Sequence, residues 1–298
     1  MKIAITGASG FIGRRLMKLL AARGHRLHAL SRHAGTNLPA GVELSVWNPL
    51  APAPEAALRG VDAVLHLAGE PVAQRWTAAA KQRIYDSRVV GTRHLVAALA
   101  SCSPRPPVLV CASAIGYYGS RGDEILSENS GPGTGFLADL CVAWEQEGAK
   151  AEALGVRVTR IRIGLVLDAG GGALKPMLAP FRAGLGGPLG GGRQWTSWIH
   201  IADLAEMFRF ALEGPAPPVV NGVAPGAVTN AEFTRSLAAA LHRPAFIPAP
   251  KLALRMLFGE MAELLLASQR VAPAAAEAAG FQFQHPELKG ALADLLRS

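Results

Sequence analysis

Apolar positions in this chain follow two periods that take turns. Short, continuous, β-rich apolar runs lie near 2–6, 26–31, 42–47, 62–68, 107–113 and 156–163. Helical patterns at 12–23, 54–59, 77–100 and 136–153 separate most of them. Such alternation predicts an α/β fold, with a parallel sheet and helices on both faces. Right-handed crossovers then leave a Rossmann-like, doubly wound sheet, with ligands at the carboxyl ends of its strands. Those ends carry Thr6, Ser31, Ala68 and Ser113.

The pattern changes after Gly164. Residues 168–194 are rich in Gly and Pro and read as loops around one short helix, a lid or pocket wall. A helix at 201–213, a short strand at 219–224 and a capped helix from Thr229 or Asn230 follow. The last stretch is helical apart from a turn at 280–286. We therefore expect an α/β part over 1–164, joined by segments within 198–224, and a smaller, mainly helical region over 165–298. There is no internal repeat.

Composition narrows the classes. Half of the 298 residues are hydrophobic, enough for a large core. The net charge of +8 is dispersed, with no basic run and no stacking motif, so nucleic acid is not an expected partner. Part of the excess suits an anionic cofactor or substrate. Cys102, Cys111 and Cys141 have neither metal-like nor disulfide-framework spacing, and no metal is expected. The most apolar helical stretch, 251–269, carries Arg255, Glu260 and Glu263, which argues against a membrane span. The first strand starts at once, so no signal peptide is expected and a cytoplasmic location is the default.

The chemistry concentrates at the N-terminus. MKIAITGASGFIG is a strand entering a glycine turn, with Gly7, Gly10 and Gly13 spaced GxxGxxG, and an amphipathic helix follows at once. In that setting Gly7 permits a tight turn, Gly10 admits a pyrophosphate to the backbone, and Gly13 lets helix and strand pack closely. Free N–H groups at the helix start favour phosphate. Gly7, Ser9, Gly10, Phe11, Ile12 and Gly13 are thus expected around a dinucleotide. The bland alternative is an ordinary Gly-rich turn. Ser31 and Arg32 end the second apolar run, where an acid would bind a ribose 2′-hydroxyl and an Arg accommodates a 2′-phosphate. No Asp or Glu precedes Glu43, so NADP(H) is the expected cofactor. Otherwise Arg32 is one more solvated arginine.

An ordered set of motifs follows: DAVLHLAGE at 62–70, SRVVGT at 87–92 and SAIGYYG at 113–119. With TGASGFIG, this order resembles the extended short-chain dehydrogenase/reductases, the NAD(P)-dependent sugar epimerase and dehydratase superfamily. LAGEPVAQRW, WIHIADLA, NGVAPGAVTNAEF and GEMAELLLASQRVAP followed by GFQF resemble an atypical subgroup with a DUF1731-type C-terminal region. The resemblance implies that Leu67, Ala68 and Gly69 lie beside the cofactor's adenosine portion, with Glu70 in the same cleft. It puts Arg88, where relatives carry Asn, within reach of cofactor or substrate; a surface helix charge is the other reading. Leu165 would contact the nicotinamide side through its backbone. It also implies a two-helix interface, 77–100 with 136–153, leaving monomer or homodimer open.

The resemblance breaks at the reacting groups. Short-chain dehydrogenases generally carry a Tyr-x-x-x-Lys pair, but Leu137 and Cys141 stand at those places, and no other such pair exists in the chain. Ser113, Tyr117 and Tyr118 are the candidate catalytic residues, as a replacement proton donor and its neighbours; packing is the alternative for the phenols. His200 either caps a helix or faces the pocket. Trp195 and Trp198 either stack on a ring or fill a core. The resulting expectation is an NADP(H)-dependent oxidoreductase or epimerase-like enzyme on a small, sugar-like substrate. The alternative is a non-catalytic NADP(H)-binding sensor.

Overall fold

In a computed structural model, which describes residues 1–35 and 38–297, β1 (Lys2–Thr6) runs through the glycine turn into α1 (Phe11–Ala22). Next come β2 (Arg26–Ser31), β3 (Glu43–Val46), α2 (Glu55–Leu58), β4 (Ala63–His66), α3 (Ala78–Ser101) and β5 (Val108–Ala114). A 3₁₀ turn at Ile115–Tyr118 leads to β6 (Ile125–Leu126), α4 (Phe136–Ala149) and β7 (Arg157–Ile163). The remainder begins with β8 (Leu165–Asp168), β9 (Gly171–Gly172) and α5 (Leu174–Arg182). Beyond the Gly-rich stretch lie β10 (Trp195–Thr196), β11 (Trp198–His200), α6 (Ile201–Glu213), β12 (Val219–Gly222) and β13 (Val228–Thr229). The chain closes with α7 (Asn230–Ala240), α8 (Lys251–Phe258), α9 (Ala262–Leu266), β14 (Arg270–Val271), α10 (Ala274–Ala278) and α11 (Leu288–Leu295).

The main sheet has seven strands in the order β12-β7-β5-β4-β1-β2-β3, parallel at every pairing. The order reverses between β1 and β4, so the strand ends open a crevice there. Strand periodicity divides the core. Ile3 and Ile5 face α1 and α6 with Leu16, Leu20 and Phe208. Ala4 faces the other way, with Val64, Leu95, Leu99 and Leu109. A third cluster, with Leu167, Leu178, Phe181, Trp198, Phe233 and Leu292, is the C-terminal region's own core.

Two features refine the sequence pattern. The apolar stretch 251–269 is not one helix: Gly259, at φ +61°, ends α8 and redirects the chain into α9. The strand near 219 returns to the main sheet as its edge, pairing with β7. No helix among the described residues is long and apolar enough to cross a membrane.

Candidate functional site

Each glycine of the N-terminal turn answers a different steric demand. Gly7 sits at φ +67°, and a Cβ there would lie 2.7 Å from the Leu67 carbonyl. A Cβ on Gly13 would lie 2.4 Å from the Gly7 carbonyl oxygen. These two glycines serve the protein's own packing. Gly10 is exposed, and a Cβ there meets only the Gly7 oxygen, at 3.0 Å. Its smallness serves space outside the protein, which fits a phosphate group approaching the start of α1. No side chain caps that helix start and no acid lies in its first turn. Arg14 occupies the Ser9 carbonyl at 2.6 Å. Ile12 is half-buried in the first turn and packs on the main core. The Phe11 ring turns away and lies against Gly171 and Gly172, where a Cβ would come within 2.4 and 2.9 Å of it. Part of the Gly-rich stretch is therefore glycine so that β9 can rest on the cofactor turn.

Ser31 is buried at the end of β2, and Arg32 beyond it is exposed. Arg32 Nη1 lies 3.5 Å from Glu70 Oε2, and Arg83 approaches the same carboxylate. Glu70, expected near the cofactor, is thus the counter-ion of the arginine expected to read it.

Below the turn runs a buried polar line. Thr92 Oγ1 donates to the Arg88 carbonyl, so it accepts from His66 Nε2 at 2.9 Å. That leaves His66 Nδ1 to accept from Thr6 Oγ1 at 2.7 Å. Thr6 Oγ1 in turn accepts the Leu67 and Ala68 N–H groups. Burial pushes His66 down to about 4, so the imidazole is neutral. The line ties the 67–70 turn to β1 and α3. Gly69 has its own reason: a Cβ there would sit 2.9 Å from Arg88 Cζ.

At the end of β5, Ser113 donates to Glu145 Oε1 at 2.6 Å. Arg162 binds both Glu145 oxygens at 2.8 Å. Its Nη1 donates to the Tyr118 hydroxyl at 2.9 Å, and that hydroxyl donates to Asn221 at 2.7 Å. Burial alone would lower the Arg162 guanidinium, but Glu145 raises it above its ordinary value. Tyr118 is fully buried, and burial pushes its phenol up. Its hydroxyl is occupied on both sides, which takes it off the substrate-facing surface. Tyr117 is half-buried, its ring 3.4 Å from the Arg162 guanidinium carbon. Cys141 receives the Ala114 N–H and is pushed up to about 12 by burial, so it stays a neutral thiol. Leu137 packs over Gly116.

The sequence pattern missed Arg162 and its partners. A signal was present: in RVTRIRI, Arg162 shares a strand face with Val158, and a charge there requires a buried partner. Asn221, reached through the Tyr118 hydroxyl, could not be paired with it without the fold.

Other expected positions divide. Leu165 gives its N–H to the Ser197 carbonyl at 2.8 Å and pairs with Trp198 in the β8–β11 ladder. Trp198 is core. Trp195 is half-buried, bonded to Asp123 and stacked under Arg270. Its partner Asp123 and its chain neighbour Gln194 line a cavity of about 290 Å³, with Ser120, Arg193, Lys251 and Ser268. His200, His285 and Asp294 place one ligand atom each within 4.8 Å of one another. His200 Nδ1, however, accepts the Ala202 N–H as the cap of α6. A neutral imidazole then carries its proton on Nε2 and has no lone pair for a cation there. That Nε2 lies 3.4 Å from Asp294 of α11.

The NAD dependent epimerase/dehydratase family matches residues 3–222, and the domain of unknown function DUF1731 matches 249–295. An epimerase family protein of Mycobacterium tuberculosis, MT2273, is 44% identical over 294 residues, covering 97% of this chain and 96% of its own. The crystal structure of human epimerase family protein SDR39U1 with NADPH superposes with a TM-score of 0.87 at 36% identity, covering 99% of both chains. A nucleoside-diphosphate sugar epimerase from Corynebacterium glutamicum gives 0.81 at 36% identity, covering 99% of this chain and 58% of that one.

Proposed function

Because the chain belongs to the NAD dependent epimerase/dehydratase family, we propose that it is an NADP(H)-dependent oxidoreductase or epimerase-like enzyme acting on a small, sugar-like substrate. The observation that carries this reading is the pairing of an open Gly10 with Arg32 at the next strand end. The first leaves room for a pyrophosphate; the second suits a 2′-phosphate. The human relative crystallised with NADPH supports the same choice. When bound, the nicotinamide group carries hydride. The chain's own residues hold its phosphates at 10–13, shape the 67–70 turn beside it, and offer Ser113 and Tyr117 at the end of β5. Of the expected phenols, Tyr117 is the better placed proton donor, because its ring is half-exposed while Tyr118 is buried with its hydroxyl occupied on both sides. The cavity lined by Asp123, Arg193, Gln194 and Lys251 has the size for a small polar substrate.

The second reading, a non-catalytic NADP(H)-binding protein, rests on the neutral Cys141 and apolar Leu137. One sample tests both. NADPH is expected to bind more tightly than NADH. NADPH or NADP⁺ turnover with a panel of nucleotide-sugars, aldehydes and ketones supports the enzyme, with Tyr117→Phe slowing it by about 10²–10⁴-fold. Binding with no turnover supports the sensor. Equal affinity for the two cofactors overturns the NADP(H) reading.

A further inference from the structure

Helix α8 turns its apolar side outward. Leu254 is its one buried residue and Phe258 is half-buried; these two hold it to the protein. At about 100° per residue, Met256 points directly away from that pair, with Leu252 on one side of it and Ala253 and Leu257 on the other. The solvent-facing arc is thus apolar over about 140°. Met256 is 71% exposed, and Leu252 and Leu257 are each 69% exposed. The segment that enters the helix continues this surface. From 246 to 257 every residue but Ala249 and Leu254 is exposed, with Phe246 at 74%. Exposed Leu185 joins from the neighbouring segment, where Gly186 accepts the Ile247 N–H at 3.1 Å. A contiguous apolar surface of this kind marks an interaction site.

The surrounding charges say what covers it. Lys251 and Arg255 lie together on the flank of α8 next to Leu252. Arg243 shortly precedes Phe246, and Arg182 shortly precedes Leu185. None of these four makes an ion pair or a side-chain hydrogen bond among the described residues, whereas Arg23, Arg93, Arg121, Arg160 and Arg209 are each tied to a carboxylate. Of the two acids that follow α8, Glu260 is bonded to Lys81, which leaves Glu263 alone. A second copy seated here about a two-fold axis would set four cations against four, with one free acid on each side, and like charges oppose that pairing. A peptide partner needs a groove for its apolar face. The hollow at the end of α8 is bordered by Arg255, Glu260 and Glu263 and takes in none of the exposed apolar side chains. A fluid bilayer moulds itself around a ridge, and anionic headgroups would satisfy the unpaired cations. No helix among the described residues is long and apolar enough to cross a membrane, so the contact is a surface one. We infer that the ridge 246–257, with Leu185, docks on an anionic lipid bilayer. Phe246, Leu252, Met256 and Leu257 sink about 5–10 Å into the headgroup boundary, and Arg182, Arg243, Lys251 and Arg255 meet the lipid phosphates. The inference is independent of the cofactor.

Flotation of the full chain with vesicles tests it. Vesicles of phosphatidylcholine alone are compared with vesicles of equal parts phosphatidylcholine and phosphatidylglycerol. Wild type is expected to float with the second kind and to stay behind with the first. The double variant Leu252→Ser, Met256→Ser should weaken binding to the anionic vesicles about tenfold or more. The double variant Arg243→Gln, Arg255→Gln should weaken it by about fivefold for each charge. Thermal unfolding of both should match wild type, because these side chains face solvent. Equal flotation with both kinds of vesicle, or flotation with neither, overturns the inference. A loss in only one of the two variants also overturns it: charge alone would be attraction to the net charge of +8, and apolarity alone would be unspecific adhesion. Light scattering covers the second copy: a wild-type dimer that the serine variant turns into a monomer would assign the ridge to self-association instead. If the serine variant does not fold, a fluorophore on Met256→Cys decides, since the native cysteines are buried. Lipid-borne quenchers should dim it, and unchanged emission would overturn the inference.

Discussion

At the scale of single residues, the proposed preference for NADP(H) comes down to a competition for Arg32. Its present partner, Glu70, is 3.5 Å away, and the Arg32 side chain is 59% exposed. Such a surface pair contributes about 0–1 kcal/mol, whereas a charged hydrogen bond to phosphate contributes about 1.5–3 kcal/mol. A 2′-phosphate bound at Arg32, as proposed, would therefore displace Glu70. Arg32→Ala is expected to weaken NADPH by roughly 10- to 150-fold and NADH hardly at all. Glu70→Gln, which removes the competitor, should tighten NADPH about two- to fivefold and leave NADH unchanged. Fluorescence titration of both cofactors checks this; equal losses for both in Arg32→Ala would show that the arginine is structural. Arg32 was legible in the sequence because strand-end spacing fixes its place. Its counter-ion was not, because Glu70 lies on another strand end and only the β2-β1-β4 order brings the two together. Tyr117 and Tyr118 looked alike in sequence. Chain direction within one 3₁₀ turn separates them, sending one to the core and leaving the other half-exposed.

Among elements, the strand–turn–helix unit assigns separable roles to its glycines. Gly10→Val should keep its fold, with a small shift of the Gly7 carbonyl that its Cβ meets at 3.0 Å, and lose NADPH, because the rest of the side chain occupies ligand space. Gly13→Ala should instead destabilise the protein by about 1–3 kcal/mol or more, since its Cβ would overlap the Gly7 carbonyl at 2.4 Å. Circular dichroism melts beside cofactor titration distinguish the two; retained NADPH affinity in Gly10→Val would remove the pyrophosphate from this turn. The central strands and the four helices around them were readable because each carries its own period. The two-residue strands β6, β9, β10, β13 and β14 were not, since their partners, rather than any internal pattern, define them. The 251–269 stretch misled for the same reason: apolarity marked it as helical, and one left-handed glycine divided it.

For the whole molecule, buried imidazoles set an acid limit. Burial lowers His28, His66 and His200, with His66 reaching about 4. The unfolded chain takes up these protons below about pH 6.5, while folded His66 refuses its proton until about pH 4. Stability is thus fully present above pH 6.5 and falls toward pH 4, with His66 alone accounting for about 3 kcal/mol. Urea unfolding at pH 7.5 and 4.5 measures it, and a flat profile across that interval would contradict the neutral His66. The edge strand β12 has a consequence for synthesis. It lies more than 50 residues beyond β7, yet it covers that strand's open side, and its Asn221 receives the Tyr118 hydroxyl. A nascent chain released at residue 164 would present the unpaired edge of β7, with the buried partners of Arg162 incomplete because Asn221 has yet to arrive. One released near 225 would have the sheet complete but the core around Trp198 and Leu178 without α7 and α11. Neither cut point yields a self-sufficient piece, so the ribosome has to deliver nearly the entire polypeptide before the first half can settle.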